Sequence, residues 1–529
     1  MYTGKKIVAG MTLGRIPIID LFAGPGGLGE GFAAYHTQSG RPAYRIALSV
    51  EKDEVAHRTL ELRAFFRQFA PGEAPRDYYE HLRDPVALSR ADLFARHREQ
   101  AKQAQVEAWN TELGVIPEDD LDGRVRAALG GSENWMLIGG PPCQAYSIVG
   151  RARRGGMDAN DPRVHLYREY LRILAVHQPP VFIMENVKGL LSAKLEGASV
   201  FERMLDDLSH PSRATSLKAR LRAGNVEYQI HSLVRQPERT PQGETRDPSD
   251  FIIQCEQYGI PQARHRVILL GVRSDVKLTC SCLLRPAPEV SVCKVIGRLP
   301  RLRSGLSKRA DSNVAWRDAI VAIRDSRWFR ELRQVNGINL VSTITHRLDE
   351  ISLPRADRGA EFIDGEPICD HRADWFIDSN LSGVCNHETR GHIVEDLHRY
   401  FFSATFAEQF GCSPTLKDFP RSLLPAHANV DQALQIGHFS DRFRVQVGSR
   451  PATTVTSHIA KDGHYYIHYD PTQCRSLTVR EAARIQTFPD NYLFCGNRTQ
   501  QYQQVGNAVP PLLAYQIAEA VYPLVKRRY

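Results

Sequence analysis

The segment LIGGPPCQAYS (137–147) places Cys143 directly after an apolar run and two prolines. A thiolate is a strong nucleophile, and Pro141–Pro142 stiffen the approach so that the sulfur is held in place. At the carboxyl edge of an open parallel sheet such a cysteine stands where ligands bind. The alternative is a buried structural thiol, which two preceding prolines would be an odd way to make. Glu185 closes another apolar run, PVFIMENV (180–187). Poor hydration there is expected to raise its pKa toward that of a proton donor; a buried structural carboxylate is the competing reading, with Asn186 as a turn residue. In QYGIPQARHRV (257–267), Gln262, Arg264 and Arg266 alternate and would share one face of an extended segment. Cations fixed beside a nucleophile and an acid suit a substrate with carbonyl oxygens or phosphates, although an exposed basic edge strand gives the same pattern.

A further constellation, IDLFAGPGGLGEGF (19–32), runs from a strand through a glycine-rich turn into a helix. Glycines let a backbone approach a ligand closely, and the helix N-terminus favours polar or anionic groups. Gly24, Gly26 and Gly29 satisfy the dinucleotide spacing, and Glu51 stands 22 residues on, where an acid holds a ribose. NAD, FAD and S-adenosylmethionine folds all use this device. A purely structural turn remains the alternative.

These residues need strands that end together. Short apolar runs recur at 15–22, 45–51, 134–140, 180–187, 251–260 and 266–272, separated by helical stretches. That rhythm predicts an α/β fold, a mostly parallel Rossmann-like sheet with helices on both faces. With 529 residues, 42% hydrophobic and 24% charged, the chain suits two to four folded units and is neither disordered nor fibrous. A net charge of +8 permits a polyanionic partner without requiring one. Ten dispersed cysteines point to a reducing, cytoplasmic setting, and neither a signal peptide nor a membrane span is expected.

After Val272 the rhythm stops. Residues 285–333 carry 12 Lys or Arg against 5 Asp or Glu, a local excess of +7, read evenly as a nucleic-acid surface or a solvated helical face. Residues 334–450 are rich in Gly, Pro, Asn and His and read as an irregular separate module. Regular structure resumes at 475–488, where Thr478 and Glu481 have capping-box spacing, and the chain ends in a turn and an apolar helix started by Pro510–Pro511. Cys369-x-His371 and Cys385-x-His387 repeat a spacing tighter than the usual zinc pattern, so no metal is expected.

In order, FAGPGG, GGPPCQ, MENV, QARHR, RSLTVREAARIQTFPD and QVGNAVPP resemble the motif set of the DNA cytosine-5 methyltransferases, especially bacterial ones with a large target-recognition domain. The resemblance spans about 1–275 and 450–529. It implies a catalytic domain over 1–279 with an insertion at about 72–130, a target-recognition domain over 280–450, and a C-terminal part, 451–529, that completes the catalytic domain. It implies S-adenosyl-L-methionine as cofactor, held by Phe22, Ala23, Gly24, Pro25, Gly26, Gly27, Glu51 and Pro142 and closed by Asn507 and Val509. Cys143 would be the nucleophile, Glu185 would contact the cytosine N3 edge, and Arg264 and Arg266 would bind near O2 and the adjoining backbone; Asp161 and Arg163 would order the site. Departures lie in the adenine-binding acid, for which Asp119, Asp120 and Asp122 are unranked candidates, in Lys52 where some relatives place an aromatic residue, and in Val149 where some use a polar one.

The implied function is sequence-specific methylation of double-stranded DNA, with a cognate restriction endonuclease or defence-system protein as a further partner. A tRNA cytosine-5 methyltransferase of the same fold is disfavoured by the ~170-residue recognition region, of the kind groove readout needs. An NAD-linked oxidoreductase explains the glycine turn but not Cys143, Glu185 or the arginines. A non-catalytic DNA-binding scaffold would be marked by loss of Cys143 or Glu185, and both are present.

Overall fold

The computed structural model describes residues 14–142, 162–195, 198–215, 226–240, 243–245, 247–278, 281–332, 340–426, 430 and 441–526. Eight strands form one sheet: β1 (Ile16–Leu21), β2 (Tyr44–Glu51), β3 (Ala108–Asn110), β4 (Met136–Gly139), β5 (Val181–Val187), β6 (Tyr228–Ser232), β7 (Ile252–Gln254) and β8 (His265–Arg273). Their order is β3-β2-β1-β4-β5-β8, with β6 and β7 both pairing the far edge of β8. The first five run parallel, and β8 runs antiparallel to β5. Because of that reversal the carboxyl end of β5 meets the amino end of β8: Val187 pairs with Arg266 and Glu185 with Ile268. Diagonal neighbours on one face of such a pair are within reach of long side chains, so Glu185 and Arg266 are brought together.

Both faces of the sheet are covered, which explains why β1 and β5 read as continuous apolar runs. One face packs on α1 (Gly27–Ala34) and the C-terminal helix through Ile18, Ile183, Phe32 and Leu513. The other packs through Ile19, Leu137 and Phe182 on the helices between the strands. The helices between the strands are α2 (Glu54–Phe66), α3 (Arg76–Arg83), α4 (Arg90–Arg96), α5 (Arg98–Glu107), α6 (Glu118–Leu129), α7 (Pro162–His177) and α8 (Val200–Ser209), and α6, α7 and α8 supply Val125, Tyr170 and Phe201 to that second face.

The stretch read as an insertion at 72–130 is largely part of this frame. It contains β3, which pairs with β2 at the sheet edge, and the helices α5 and α6 that flank it. A three-residue strand, AWN, is too short to show alternation. Only α3 and α4 are additional. They pack Tyr78, Tyr79, Leu82 and Leu93 against Leu381 and Cys385 of the later region. The run 251–260 likewise holds three strand residues before a 3-10 turn rather than one long strand.

The recognition region is less irregular than its composition suggests. It holds α9 (Asn313–Val321), α10 (Arg327–Leu332), α11 (Leu340–Asp349), an antiparallel hairpin of β9 (Gly359–Asp364) with β10 (Gly383–Glu388), and α12 (Val394–Phe410). The 17-residue α12 is buried on most sides through Leu397, Arg399, Tyr400, Phe401, Phe402 and Ala404, so no amphipathic period marks it. Its core with Trp316 and Trp328 also takes in Ile467 and Cys474, beyond the boundary placed at 450. Conversely, Val292, Val295 and Phe376 pack with Val479 and Tyr502.

Half of the twelve cations of 285–333 pair with acids, several from outside the segment. Arg298 pairs with Asp370, Arg301 with Asp470, Arg303 with Asp311 and Asp357, and Arg324 with Asp349. Arg317 and Arg327 pair with Asp318 and Glu331. The segment as a whole is therefore not a free cationic surface. The two Cys-x-His pairs also part company. Cys369 Sγ lies 3.0 Å from the His371 carbonyl, Cys385 Sγ faces the Leu82 carbonyl at 3.9 Å, and His387 is held between Thr478 and the Pro300 carbonyl.

The C-terminal part contains α13 (Val479–Ile485), α14 (Arg498–Asn507) and α15 (Pro511–Val525). The capping box at Thr478 forms in full, with Glu481 N–H donating to Thr478 Oγ1 and Thr478 N–H to Glu481 Oε2. The α15 helix lies on α1 so closely that a Cβ at Gly27 would meet Val509 O at 2.3 Å and one at Gly31 would meet Pro511 O at 2.3 Å. These glycines are fixed by helix contact. Among the described residues, no helix is long and apolar enough to cross a membrane.

Candidate active site

A cleft of about 620 Å³ opens over the carboxyl ends of β1, β2, β4 and β5. This is the location where open α/β sheets bind ligands. Phe22, Ala23, Gly24, Pro25 and Gly27 form its floor, Glu51 and Lys52 one side, Pro142 and Glu185 the other, and Asn507 and Val509 the C-terminal wall.

The turn after β1 is shaped by left-handed backbone. Phe22 has φ 57° and Gly24 φ 57°. A non-glycine residue in this region costs energy and persists where surrounding structure enforces it. A Cβ at Gly24 would meet nothing within 4 Å, so that face is open to a ligand. Gly26 is not on the cleft wall. A Cβ there would meet Leu60 at 2.8 Å and Tyr492 Oη at 3.0 Å, so its glycine serves packing behind the turn. Tyr492 also donates its hydroxyl to the Pro25 carbonyl, tying the turn to the segment after α13.

Glu51 accepts the Gly24 N–H at 2.8 Å through one oxygen and the Asp53 N–H at 2.7 Å through the other. Each oxygen keeps a lone pair for a further donor. Burial raises the Glu51 carboxyl above its usual range, against the pull of these amides. Below the turn, burial raises fully buried Asp20 to about 8, with the Arg67 cation acting in the opposite direction.

Glu185 does not stand alone in an apolar pocket. Its carboxylate lies 3.0 Å from Arg266 Nε, both side chains being partly exposed, so the acid expected from an apolar strand is instead half of an ion pair. A Cβ on Gly140 would meet Glu185 Oε2 at 3.0 Å, which places that oxygen against the turn leading to Pro141–Pro142. Asn186, read as a turn residue, is buried and donates to the Pro141 carbonyl at 3.3 Å, holding the same turn.

Arg264 departs from its expected role. Its guanidinium is buried and donates to Val455 O at 2.6 Å and to Gly506 O at 3.2 Å. Burial, and then the neighbouring Arg266 cation, push it down to about 9. Gln262 is buried beside it, accepting the Val455 N–H and donating to Gln486, which in turn donates to Val505 O and Ala508 O. Thus the alternating triad divides: Gln262 and Arg264 fasten the C-terminal wall, and Arg266 alone joins Glu185. The cause is that Gln262–Ala263 pair in parallel with Ala452–Thr453, which caps that face.

Cys143, Val149 and Asp161 lie outside the described residues, as does the side chain of Arg163. Asp122 is not on the cleft. It is buried with Arg172 and His177 and held down to about 2, their hydrogen bonds and charges overcoming the opposing effect of burial. Asp119 and Asp120 are also absent from the cleft lining, where Thr111 and Leu113, just after β3, stand instead. Gln500, Gln503 and Gln504 line the C-terminal wall and were not anticipated. Counting back from Asn507 by helical steps of four and seven would have found the first two. Ser457 closes the rim.

Comparison with known proteins agrees with this geometry. The family profile of the C-5 cytosine-specific DNA methylases matches residues 99–211 and 250–522. The Type II methyltransferase M.Bpa9945I of Bacillus paralicheniformis is 31% identical over 527 residues, covering 96% of this chain and 99% of that protein. M.DdeI of Desulfomicrobium norvegicum, also named a Type II methyltransferase, is 24% identical, covering 95% of this chain and 88% of its own. The DNA (cytosine-5-)-methyltransferase M.ApeKI of Aeropyrum pernix is 26% identical, covering 96% and 98%.

Sheet order, cleft position and profile together define a methyltransferase and displace the oxidoreductase reading. The chain belongs to the C-5 cytosine-specific DNA methylase family and is a DNA (cytosine-5-)-methyltransferase of the bacterial type.

Proposed function

We propose that the enzyme uses S-adenosyl-L-methionine to methylate C5 of a cytosine extruded from double-stranded DNA, with Cys143 as nucleophile. The observation that carries this reading is Glu185, which lines the cleft beside Gly140, Pro141 and Pro142 and is paired with Arg266. The cleft suits the cofactor: it has the volume of a small-molecule site, a carboxylate with free lone pairs at Glu51, an open backbone at Gly24 and an aromatic ring at Phe22. Ala23, Pro25, Gly27, Pro142, Asn507 and Val509 complete the walls. When bound, the cofactor supplies an electrophilic methyl group.

Cytosine C5 is too weak a nucleophile to take that methyl unaided. Addition of the Cys143 thiolate to C6 makes C5 enamine-like. Glu185 supports the addition at N3 and Arg266 stabilises charge developing at O2, as preorganised donors do in an oxyanion hole. Once C5 carries the methyl, a base removes its proton and the C6–S bond breaks, returning the thiolate. Since C6 is shielded in a duplex, the target base leaves the stack. Protection of host DNA beside a cognate restriction endonuclease, in the cytoplasm, is the setting that the relatives' Type II designation supports.

Target DNA carrying 5-fluorocytosine tests the mechanism, because fluorine leaves no removable proton at C5. The expected result is a denaturation-resistant adduct, formed only with S-adenosylmethionine and mapped by peptide mass spectrometry to Cys143. Cys143→Ser does not accumulate it, since a hydroxyl is far less ionised than a thiol near pH 7. An adduct at another cysteine, or turnover by Cys143→Ser, overturns the reading. Calorimetry that finds NAD binding and none for S-adenosylmethionine overturns the cofactor assignment.

A further inference from the structure

Once the paired cations of residues 285–333 are set aside, a pattern emerges around one buried arginine. Arg303 has a side chain only 3% exposed, yet it serves two carboxylates: Asp311 at 2.6 Å from Nη1 and Asp357 at 2.5 Å from Nε. Both acids close the same tripeptide, Arg309-Ala310-Asp311 and Arg355-Ala356-Asp357. Each turn has a residue in left-handed backbone, Lys308 at φ 64° and Asp357 at φ 51°. Asp357 N–H donates to Pro354 O at 3.0 Å, and Leu306 N–H to Asp311 Oδ1 at 3.1 Å. Arg358 adds a link to Asp311 across the pair at 3.5 Å.

The turns are thus held from below while Lys308, Arg309 and Arg355 project as exposed side chains with no carboxylate partner among the described residues. Burying the Arg303 guanidinium beside carboxylates that stay partly exposed is costly to assemble, and left-handed non-glycine backbone adds to that cost. A solvated loop needs neither. Rigid presentation is what base readout demands, because the arginine fork must meet guanine O6 and N7 together, whereas a phosphate accepts a flexible lysine.

The location is consistent with such contact. Gly305 N–H donates to Arg390 O and Ser307 N–H to His392 O, each at 2.9 Å. The Arg390 guanidinium donates to Ile459 O, two residues past Ser457 on the rim of the active-site cleft. The turns are therefore tied to the rim of the cleft.

We infer that the twin Arg-Ala-Asp turns clamped by Arg303 form a base-reading element, in which Arg309 and Arg355 contact guanine edges of the target duplex. This rests on DNA being the substrate and is independent of the covalent mechanism.

The test is base-resolution cytosine-methylation sequencing of a methylation-free host expressing the wild type, Arg309→Lys or Arg355→Lys. Lysine keeps the charge and the exposed position but loses the fork. The expected result is that discrimination at one or two positions of the recognition sequence relaxes by roughly tenfold or more. Affinity for S-adenosylmethionine and the salt dependence of DNA binding stay as in the wild type. An unchanged recognition sequence in both variants overturns the inference. So does a uniform fall at every sequence, with a shallower salt dependence in Arg309→Ala, since that is the signature of phosphate contact. Fluorocytosine trapping does not report which bases flank the target, so the two proposals fail separately.

Discussion

The cleft and the recognition region both set an arginine beside a carboxylate, and they use it in opposite ways. At the cleft, Arg266 and Glu185 sit on adjacent antiparallel strands, both partly exposed, and Glu185 lines the cleft. In the recognition region, Arg303 is buried, and its two carboxylates hold turns whose other residues face outward. The first pair is the one that the proposed function sets at the substrate. The second is a clamp that acts through what it supports. Arg264, two residues before Arg266, belongs with the clamp despite its place in a chemical motif, because both of its hydrogen-bonded nitrogens meet backbone carbonyls. Proximity in sequence to a functional residue is therefore weak evidence of shared function; what the side-chain nitrogens face is stronger evidence.

The largest expected effect separates the two kinds of arginine. Glu185→Gln removes a charge from the reacting edge and should lower kcat by about a hundredfold or more while leaving cofactor affinity near wild type. Arg264→Met should act on stability, at roughly 1–3 kcal/mol for each carbonyl left unpaired at Val455 and Gly506. Single-turnover methylation and thermal melting on the same preparations check both. A folded Arg264→Met enzyme with wild-type stability and a hundredfold loss in rate would place Arg264 in the chemistry and break the comparison.

The next effect concerns the wall that Arg264 supports. Gly27→Ala directs a methyl at the Val509 carbonyl, where 2.3 Å is available, so α1 and α15 must separate. Overpacking of this kind costs about 1–3 kcal/mol. Because Val509 lines the cleft, affinity for S-adenosylmethionine should fall with it. Gly24→Ala meets no atom but must hold φ 57°, so its cost is backbone strain alone. Calorimetric affinities and melting temperatures of the two variants rank them. Equal loss in both would mean that the turn, and not the helix contact, governs the wall.

Legibility in the sequence follows the same division. The sheet was readable because β1, β2, β4 and β5 are buried on both faces and their apolar runs are local. The capping box at Thr478 and the start of α15 at Pro511 were readable because each is set by residues within four positions. The three-residue β3 and the burial of α12 on most sides left no clear period to detect. The partition of Gln262, Arg264 and Arg266 was hidden because it depends on Val455 and Gly506, about 190 and 240 residues away. The two readings of the charge excess at 285–333 could not be separated locally for the same reason: Asp349, Asp357, Asp370 and Asp470, which pair with four of its arginines, lie outside the window.

The smallest effect is a pH dependence to which two buried histidines at the foundation of the recognition region contribute. His387 and His468 are each pushed down to about 4, burial being the main cause; Arg475 adds to it and Glu481 opposes it in both. An unfolded imidazole takes up a proton below about 6.5, while these two in the folded chain do so only near 4. Their contribution to stability is therefore complete above pH 6.5 and is lost as pH falls from 6.5 toward 4. The slope reaches about 1.4 kcal/mol per pH unit for each proton bound only by the unfolded chain. His387 sits between Thr478 and the Pro300 carbonyl, so it joins the capped start of α13 to the recognition region. Melting temperatures between pH 7 and 5 should fall, and His387→Asn, which keeps a polar side chain without the titration, should flatten that decline even if it lowers stability at pH 7. An unchanged slope in His387→Asn would assign the acid sensitivity to other groups whose protonation folding opposes, among them His392, His57 and Asp122, because the sheet carboxylates Asp20 and Glu51 are shifted the other way.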